Sequence, residues 1–157
     1  MTPLEVLVDM DQLENNMGNL KGLFSSATDV WATPQAFFDK LNAEFGFTLD
    51  PCALPTNAKC KKFYTPDDDG LAKNWGGEKV FCNPPYGRAI YDWVRKCSQE
   101  SRKPNTVVVA LLPARTDTRY FHEFIYGKAK EIRFIKGRLK FGGSKNSAPF
   151  PSMVVVF

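Results

Sequence analysis

The sequence predicts an α/β fold in which a mostly parallel sheet carries an antiparallel hairpin at its C-terminal edge. Three patterns support this prediction. The unbroken apolar run at 106–112 is typical of a parallel strand that is covered on both faces. The strand predicted at 79–82 is followed by a helix predicted over 89–100, which is the alternation expected of a parallel sheet. Two further β-rich runs, 131–135 and 152–157, would form the hairpin.

Residues 1–29 differ in composition from the remainder of the chain. They carry five acidic side chains against one base, and they include several glycines and serines. Such a segment predicts a flexible acidic arm, with the folded domain spanning residues 30–157. The first residues also lack the basic stretch and the long apolar run of a secretory signal, so we expect a cytoplasmic protein without a membrane anchor.

The first half of the domain predicts one helix and several short strands. Apolar side chains recur at helical spacing over 37–45, and Gly46 is expected to end this helix. Thr33 is expected to cap its first turn. Short strands are expected at 47–49 and 62–65, followed by a turn made of acidic residues and glycine.

The residue census argues against several classes of site. One histidine and four cysteines without a C-x-x-C pair form no metal-binding pattern, so we expect no metal ion. The chain also lacks the G-x-S-x-G motif of serine hydrolases and the phosphate-binding loop of P-loop NTPases. Residues 30–157 hold 20 basic and 12 acidic side chains, a balance that attracts phosphate chains. The same balance is also typical of a solvated basic face.

The sharpest pattern is the tetrapeptide Asn83-Pro84-Pro85-Tyr86, which directly follows an apolar strand. Ligands of open α/β sheets bind beyond the carboxyl ends of the strands. Two consecutive prolines fix two φ angles and remove two donors, which leaves a stiff strip with free carbonyls. Such a strip could hold a planar ring that carries an amino group, stacked on Tyr86. The Asn83 side-chain oxygen and the Pro84 carbonyl could accept the two amino hydrogens.

The alternative is a plain proline-rich turn in which Tyr86 only packs against its neighbours. The position of the tetrapeptide between a buried strand and a helix favours the ligand site. The arrangement also needs no titrating base, because two acceptors would be enough to orient the amine. This suits a chain that has a single histidine, His122, which is more often a surface residue of a helix than a catalytic group.

Several segments around the tetrapeptide occur in an order typical of one enzyme family. They are Trp31-Ala32-Thr33-Pro34, the LDPCA segment at 49–53, the D-G-L-x-x-x-W pattern at 69–75, LLPART at 111–116 and G-R-L-x-F at 137–141. Together with the tetrapeptide they resemble the phage-type DNA N-6-adenine methyltransferases, which use S-adenosylmethionine. The resemblance covers residues 30–157 and implies a reduced Rossmann-like methyltransferase sheet.

The resemblance implies a catalytic corner and a cofactor site. The catalytic residues would be Asn83, Pro84, Pro85 and Tyr86, and the cofactor would be held by Trp31, Thr33, Pro34, Asp50, Pro51 and Asp69. Among the latter, Asp50 would bind the amino group of the cofactor, and Asp69 its adenine amine. The chain departs from the family in lacking a glycine-rich turn after Asp50, and about 30 residues separate Asp50 from Asn83, too few for two βα units. The acid that binds the ribose is therefore open, with Asp67 or Asp68 as candidates.

The resemblance also implies double-stranded DNA as the partner. A target adenine inside a duplex would have to leave the base stack, and Tyr86 and Phe150 would then sandwich its ring. Further DNA contacts would come from Arg115, Arg119, Arg138 and Lys140, together with Lys136 and Lys145. Most of these contacts would reach phosphate groups, which carry no sequence information, and the chain shows no large separate recognition domain. We therefore expect low sequence specificity.

Two alternatives remain open from the sequence. The same tetrapeptide occurs in enzymes that methylate adenine in RNA or glutamine amides in proteins, and the basic closing segment favours a nucleic acid without separating DNA from RNA. The second alternative is a catalytically silent, basic DNA-binding module. In that case the missing glycine turn would mean that no cofactor binds.

Overall fold

The computed structural model describes residues 30–143 and 146–157. The acidic arm predicted over 1–29 and the predicted DNA contact Lys145 lie outside these residues. The helices are α1 (Gln35–Phe45) and α2 (Ile90–Ser101), and the strands are β1 (Leu49–Asp50), β2 (Lys62–Phe63), β3 (Lys79–Cys82), β4 (Val107–Pro113), β5 (Glu131–Phe134) and β6 (Ser152–Val156). Within the described part of the chain, no helix is long and apolar enough to cross a bilayer.

Six strands form one mixed sheet in the order β2-β1-β3-β4-β6-β5. Strands β2, β1, β3 and β4 pair in parallel with their neighbours, whereas β6 pairs antiparallel with both β4 and β5. This confirms the predicted fold class, a mostly parallel sheet that ends in an antiparallel hairpin. The pairing of Pro113 with Ser152 places the start of β6 at the carboxyl end of β4. The chain entering β6 therefore reaches the same sheet edge as the residues that follow β1, β3 and β4.

The core explains why β4 reads as a continuous apolar run. All of its residues from Val108 to Pro113 are buried, as expected of a strand covered on both faces. Helix α1 contributes Phe38, whose ring lies 5.1 Å from that of Phe81 on β3. Helix α2 contributes a buried stripe that includes Trp93, Val94 and Cys97.

The ends of α1 show one correct and one wrong prediction. Gly46 ends the helix in the left-handed conformation at φ 66°, and its N–H donates to Asn42 O at 2.8 Å. Thr33 does not cap the helix, because Pro34 occupies the cap position and no side chain donates or accepts there. The hydroxyl of Thr33 is instead used by an asparagine that lies 50 residues away in sequence.

Candidate active site

The carboxyl edge of the sheet collects the segments that the sequence singled out. Strands β1, β3 and β4 run parallel, so Asp50, Asn83 and the residues after Pro113 emerge side by side. The N–H of Ala114 donates to Pro151 O at 2.9 Å, which holds Phe150 at this edge as well. The fold therefore brings together the predicted catalytic tetrapeptide, one predicted cofactor residue and one predicted substrate residue.

The Asn83 side chain has one fixed end and one free end. Its Nδ2 donates to Trp31 O and, at 2.9 Å, to Thr33 Oγ1. A backbone carbonyl can only accept, so the amide nitrogen must face Trp31 and the oxygen must face away. That Oδ1 atom is buried and has no hydrogen-bond partner among the described residues. Leaving a buried acceptor unpaired costs about 1–3 kcal/mol, so the atom marks a place where a donor from a ligand fits.

Pro84 and Tyr86 complete the rigid strip. Pro84 is buried, and no hydrogen bond from a described residue reaches its carbonyl. The hydroxyl of Tyr86 donates to Leu111 O on β4 at 3.0 Å, and the residue is 6% exposed. Burial raises the pKa of Tyr86 well above its usual range, so the side chain stays neutral. The strip thus presents two unused oxygens beside a ring that is held in place by the neighbouring strand.

Four aromatic rings, from Trp31, Tyr86, Phe141 and Phe150, form a cluster beside Asn83, hereafter the aromatic cluster. Phe150 lies 5.1 Å from Trp31 and 5.4 Å from Tyr86, centroid to centroid. Phe141 lies 5.7 Å from Trp31, and the N–H of Gly142 donates to Ala32 O at 2.8 Å. The prediction from sequence identified three of these residues, but not Phe141.

The aromatic cluster is closed. Tyr86 and Phe150 meet edge to face at an interplanar angle of 72°. A base held between two rings needs parallel planes about 7 Å apart, twice the contact distance of carbon atoms. The structure therefore brings the two predicted partners together, and they would have to separate and become parallel before a nucleobase could enter between them.

Asp50 is buried at the end of β1 and organises the loop that follows. Its Oδ1 accepts from Cys52 N at 3.3 Å and its Oδ2 from Lys59 N at 3.0 Å. Burial raises the pKa of Asp50 to about 6, although both backbone hydrogen bonds act in the opposite direction. A carboxylate offers about four acceptor sites, so two backbone bonds leave it able to accept from a cationic ligand. These contacts shape a loop that lacks the usual glycine turn.

A second acid is held next to this loop. Gly70 packs so closely on Pro51 that a Cβ atom at position 70 would lie 2.1 Å from the Pro51 carbonyl oxygen. The preceding residue, Asp69, is exposed and adopts a left-handed conformation with φ 59°. The structure thereby joins the predicted cofactor residues Pro51 and Asp69. Asp68 accepts from Thr65 N at 2.9 Å within its own turn.

Of the remaining predicted cofactor residues, Trp31 and Thr33 contact the Asn83 side chain of the rigid strip. Trp31 is half-buried in the aromatic cluster, and the carbonyl of this residue, with the Thr33 hydroxyl, holds the amide of Asn83. Pro34 precedes α1 and is partly buried. Trp31 and Thr33 are therefore in contact with Asn83, the predicted catalytic asparagine, a relation that their spacing in the sequence does not reveal.

An open cavity of about 570 Å³ adjoins the strip at Tyr86. Arg115 and Arg119, both predicted to contact DNA, line it, and so do Arg88 and Tyr91, which sequence reasoning missed. Of the other predicted basic contacts, Lys136, Arg138 and Lys140 lie outside its lining. Lys140 is exposed, and Arg138 Nη1 donates to Ala148 O at 3.3 Å. Among the described residues, no group of three or more metal-ligating side chains is assembled.

Known proteins resemble this chain over most of its length. The family described as DNA N-6-adenine-methyltransferase (Dam) matches residues 22–156. A DNA N-6-adenine-methyltransferase of Haemophilus phage HP1 is 35% identical over 140 residues, which cover 84% of this chain and 80% of the relative. A DNA N-6-adenine-methyltransferase of Escherichia phage T1 is 36% identical over 113 residues, which cover 71% of this chain and 46% of that longer relative.

Proposed function

Since the chain belongs to the DNA N-6-adenine-methyltransferase (Dam) family, we propose that it transfers a methyl group from S-adenosylmethionine to N6 of adenine in double-stranded DNA. The observation that carries the proposal is the buried Oδ1 of Asn83, which accepts no hydrogen bond from the part of the chain that the structure describes. An exocyclic amine is the group that this atom lacks, because it brings two donors to a site with two free acceptors.

The strip would act by orienting the amine. Asn83 Oδ1 and the Pro84 carbonyl accept one N6 hydrogen each, which shifts the nitrogen lone pair out of conjugation with the ring and leaves it free to attack. Because Trp31 O and Thr33 Oγ1 fix the Asn83 amide before substrate arrives, little reorganisation is needed at the moment of reaction. No side chain has to remove a proton before the attack, because the methylated nitrogen would release its extra proton to solvent after the transfer. Alignment is the main catalytic device.

Residues of the carboxyl edge would hold the methyl donor. S-adenosylmethionine supplies an electrophilic methyl group when bound. Asp50 offers an acceptor for the amino group of such a donor, and Asp69 is exposed beside Pro51, where it can accept from an adenine amine. Trp31 and Pro34 would close the site from the side of α1. The buried surroundings of Asp50 strengthen its attraction for a cation.

The target adenine would reach the strip by base flipping. Removing a base from the stack costs a few kcal/mol, and stacking on Tyr86 and Phe150 would recover part of this cost. The basic residues Arg115, Arg138 and Lys140 would contact phosphates, together with Lys136. Contacts of this kind give little sequence discrimination, so we propose low specificity. In a bacterial host this reaction would take place in the cytoplasm.

The test is methyl transfer by the purified full chain. Tritium-labelled S-adenosylmethionine is supplied with unmethylated duplex DNA, with RNA and with a protein extract, and the label is located by nucleoside and amino-acid analysis. We expect label in N6-methyladenine from DNA alone. Label in RNA or in glutamine would point to the alternative substrates, and no transfer from a folded protein would favour the silent DNA-binding module.

A pair of variants tests the catalytic assignment. Asn83→Ala should lower kcat by about 100- to 1000-fold, as the loss of a preorganised polar group does in other enzymes. Asn74→Ala is the matched control, because Asn74 is exposed and bonds to Lys103 near the far end of α2. Full activity in Asn83→Ala would remove this residue from the mechanism.

A further inference from the structure

The cavity beside Tyr86 has the chemical character of a nucleotide site. Its volume of about 570 Å³ lies in the range of ligand pockets. Tyr86 and Tyr120 line it, and their hydroxyls donate to Leu111 O and Pro113 O, each at 3.0 Å. With both hydroxyls directed at the β4 backbone, the phenol rings are left as apolar wall. Such a wall suits a planar base.

Of the three arginines at the cavity, Arg88 and Arg115 are not paired with any Asp or Glu side chain that the structure describes. Arg88 and Arg115 are exposed, and neither forms an ion pair within the described residues. Arg115 lies over the Phe150 ring at 5.8 Å. No carboxylate of the described residues lines the cavity. These two side chains are therefore suited to phosphate groups, which respond to net positive charge.

Arg119, in contrast to Arg88 and Arg115, is paired with an acid and stacked on an aromatic ring. Its guanidinium lies 4.6 Å above the Tyr91 ring, and its Nε donates to Glu123 Oε2 at 2.8 Å. The Tyr91 hydroxyl donates to the other oxygen of Glu123 at 2.5 Å. Hydrogen bonds from Tyr91 and Arg119 lower the pKa of Glu123, so its carboxylate stays ionised. The three side chains form one unit, hereafter the arginine clamp.

The arginine clamp reduces the net charge at Arg119 but fixes the orientation of its guanidinium. Glu123 neutralises the guanidinium, so Arg119 gains little from the long-range attraction of a phosphate chain. The stacking on Tyr91, the bond at Nε and a bond of 3.4 Å from Nη2 to the Tyr91 hydroxyl fix the plane of the guanidinium. Nη1 and the second N–H of Nη2 donate to no described residue, on a side chain that is 76% exposed. A planar pair of donors with a fixed direction matches the O6 and N7 acceptors of guanine.

We propose that the cavity receives a nucleotide near the flipped adenine and that Arg119, held by Tyr91 and Glu123, reads a guanine there. Arg88 and Arg115 hold the adjoining phosphates. This inference rests on the proposed function and sharpens it, because it replaces uniformly low specificity by a preference at one position. It also assigns Arg119 to a base edge, where the sequence suggested mostly phosphate contacts.

The first test measures which adenines are methylated in a duplex library with random nucleotides on both sides of the adenine. The wild type should prefer guanine at one position by roughly 5- to 150-fold, the discrimination of one bidentate contact. In Arg119→Lys, which keeps the charge and loses the planar donor pair, this preference should disappear. Arg95→Lys is the matched control, because Arg95 lies on α2, outside the cavity lining, and pairs with Asp92.

The second test addresses the acceptor atom itself. Replacing the preferred guanine by 7-deazaguanine removes N7, so kcat/KM of the wild type should fall while that of Arg119→Lys stays unchanged. Glu123→Gln should bind every DNA sequence more tightly, because one negative charge is lost. The same variant should discriminate less between guanine and the other bases at the preferred position. Arg88→Ala and Arg115→Ala should instead weaken binding of all sequences equally and reduce the salt slope by about 1 each.

The outcomes separate the inference from the function on which it rests. Methylation of DNA with no guanine preference, or a preference that survives Arg119→Lys, would overturn the inference and leave the function standing. No methylation of any duplex would overturn both. A salt slope that falls in Arg119→Ala as it does in Arg115→Ala would identify Arg119 as an ordinary phosphate contact.

Discussion

The side chains on the two sides of the proposed catalytic corner are held by different interactions. On the strand side, Asn83 and Tyr86 are fixed by hydrogen bonds to Trp31, Thr33 and Leu111. On the loop side, backbone hydrogen bonds hold the chain next to Phe141 and Phe150, but the two rings themselves are in place through contacts with other rings. Hydrogen bonds set direction to within narrow limits, whereas ring contacts allow several packings. The difference teaches that the side chains of Asn83 and Tyr86 have fixed directions, and under the proposed function access to them would depend on the loop aromatics.

The largest effect on this comparison is expected from the loop side. Phe150→Ala should lower kcat/KM by roughly 30-fold, since one base–aromatic stack contributes about 2 kcal/mol. Steady-state kinetics on duplex DNA measure it. Phe45→Ala, which removes a half-buried ring at the end of α1, is the control for a general loss of packing. A rise in kcat/KM would reverse the assignment, because Phe150 would then act only as an obstruction.

A smaller effect is expected on the strand side. Thr33→Val keeps the shape of the side chain and removes the oxygen that accepts from Asn83, so kcat should fall by about 5- to 10-fold, the value of one hydrogen bond. Thr33→Ser should restore it. Binding of S-adenosylmethionine, measured by calorimetry, should stay unchanged. A weaker Kd with normal kcat would instead place Thr33 in the cofactor site, as the sequence suggested.

The smallest effect concerns pH. Asp50 has a pKa raised to about 6 by burial, so its ionised fraction rises from about a tenth at pH 5 to about nine-tenths at pH 7. If this carboxylate binds the cofactor amine, affinity for S-adenosylmethionine should increase by at most about tenfold over that interval and then level off. Asp50→Asn should flatten the profile. An equal slope in both proteins would exclude Asp50 as the titrating group.

The raised pKa of Asp50 also predicts how the free energy of unfolding changes with pH. The folded protein holds the Asp50 proton up to a higher pH than the unfolded chain does. Protonation of Asp50 therefore adds to the free energy of unfolding, and this contribution is fully present below about pH 4. This contribution is lost as the pH rises towards 6. Denaturant unfolding of wild type and Asp50→Asn between these values would show it as a difference in slope.

The parts of the site that the sequence predicted are those with local causes. A buried strand followed by Asn83-Pro84-Pro85-Tyr86 is visible within eight residues, and so is the glycine that ends α1. The fold class also followed from local patterns, namely an apolar run and a terminal pair of β-rich segments, whereas the order of the strands was not predicted.

The contacts that escaped prediction join distant segments. Thr33 and Asn83 are 50 residues apart, and nothing in a T-P pair reveals that its hydroxyl will meet an asparagine. Only one contact of the arginine clamp could be expected from the sequence, because Arg119 and Glu123 are four residues apart on a short helical segment. Tyr91 lies 28 residues earlier, and only the packing of α2 against this segment brings its ring under Arg119.

Trp31 gives the molecule an intrinsic optical probe. The other two tryptophans, Trp75 and Trp93, are buried and stacked on each other at 6.3 Å, remote in sequence from the loop aromatics. Trp31 is half-buried and touches both Phe141 and Phe150, so its emission should shift when these rings move apart. Replacing the stacked pair by phenylalanine would leave one tryptophan, and its emission in stopped-flow mixing would time any separation of these rings with no dye attached.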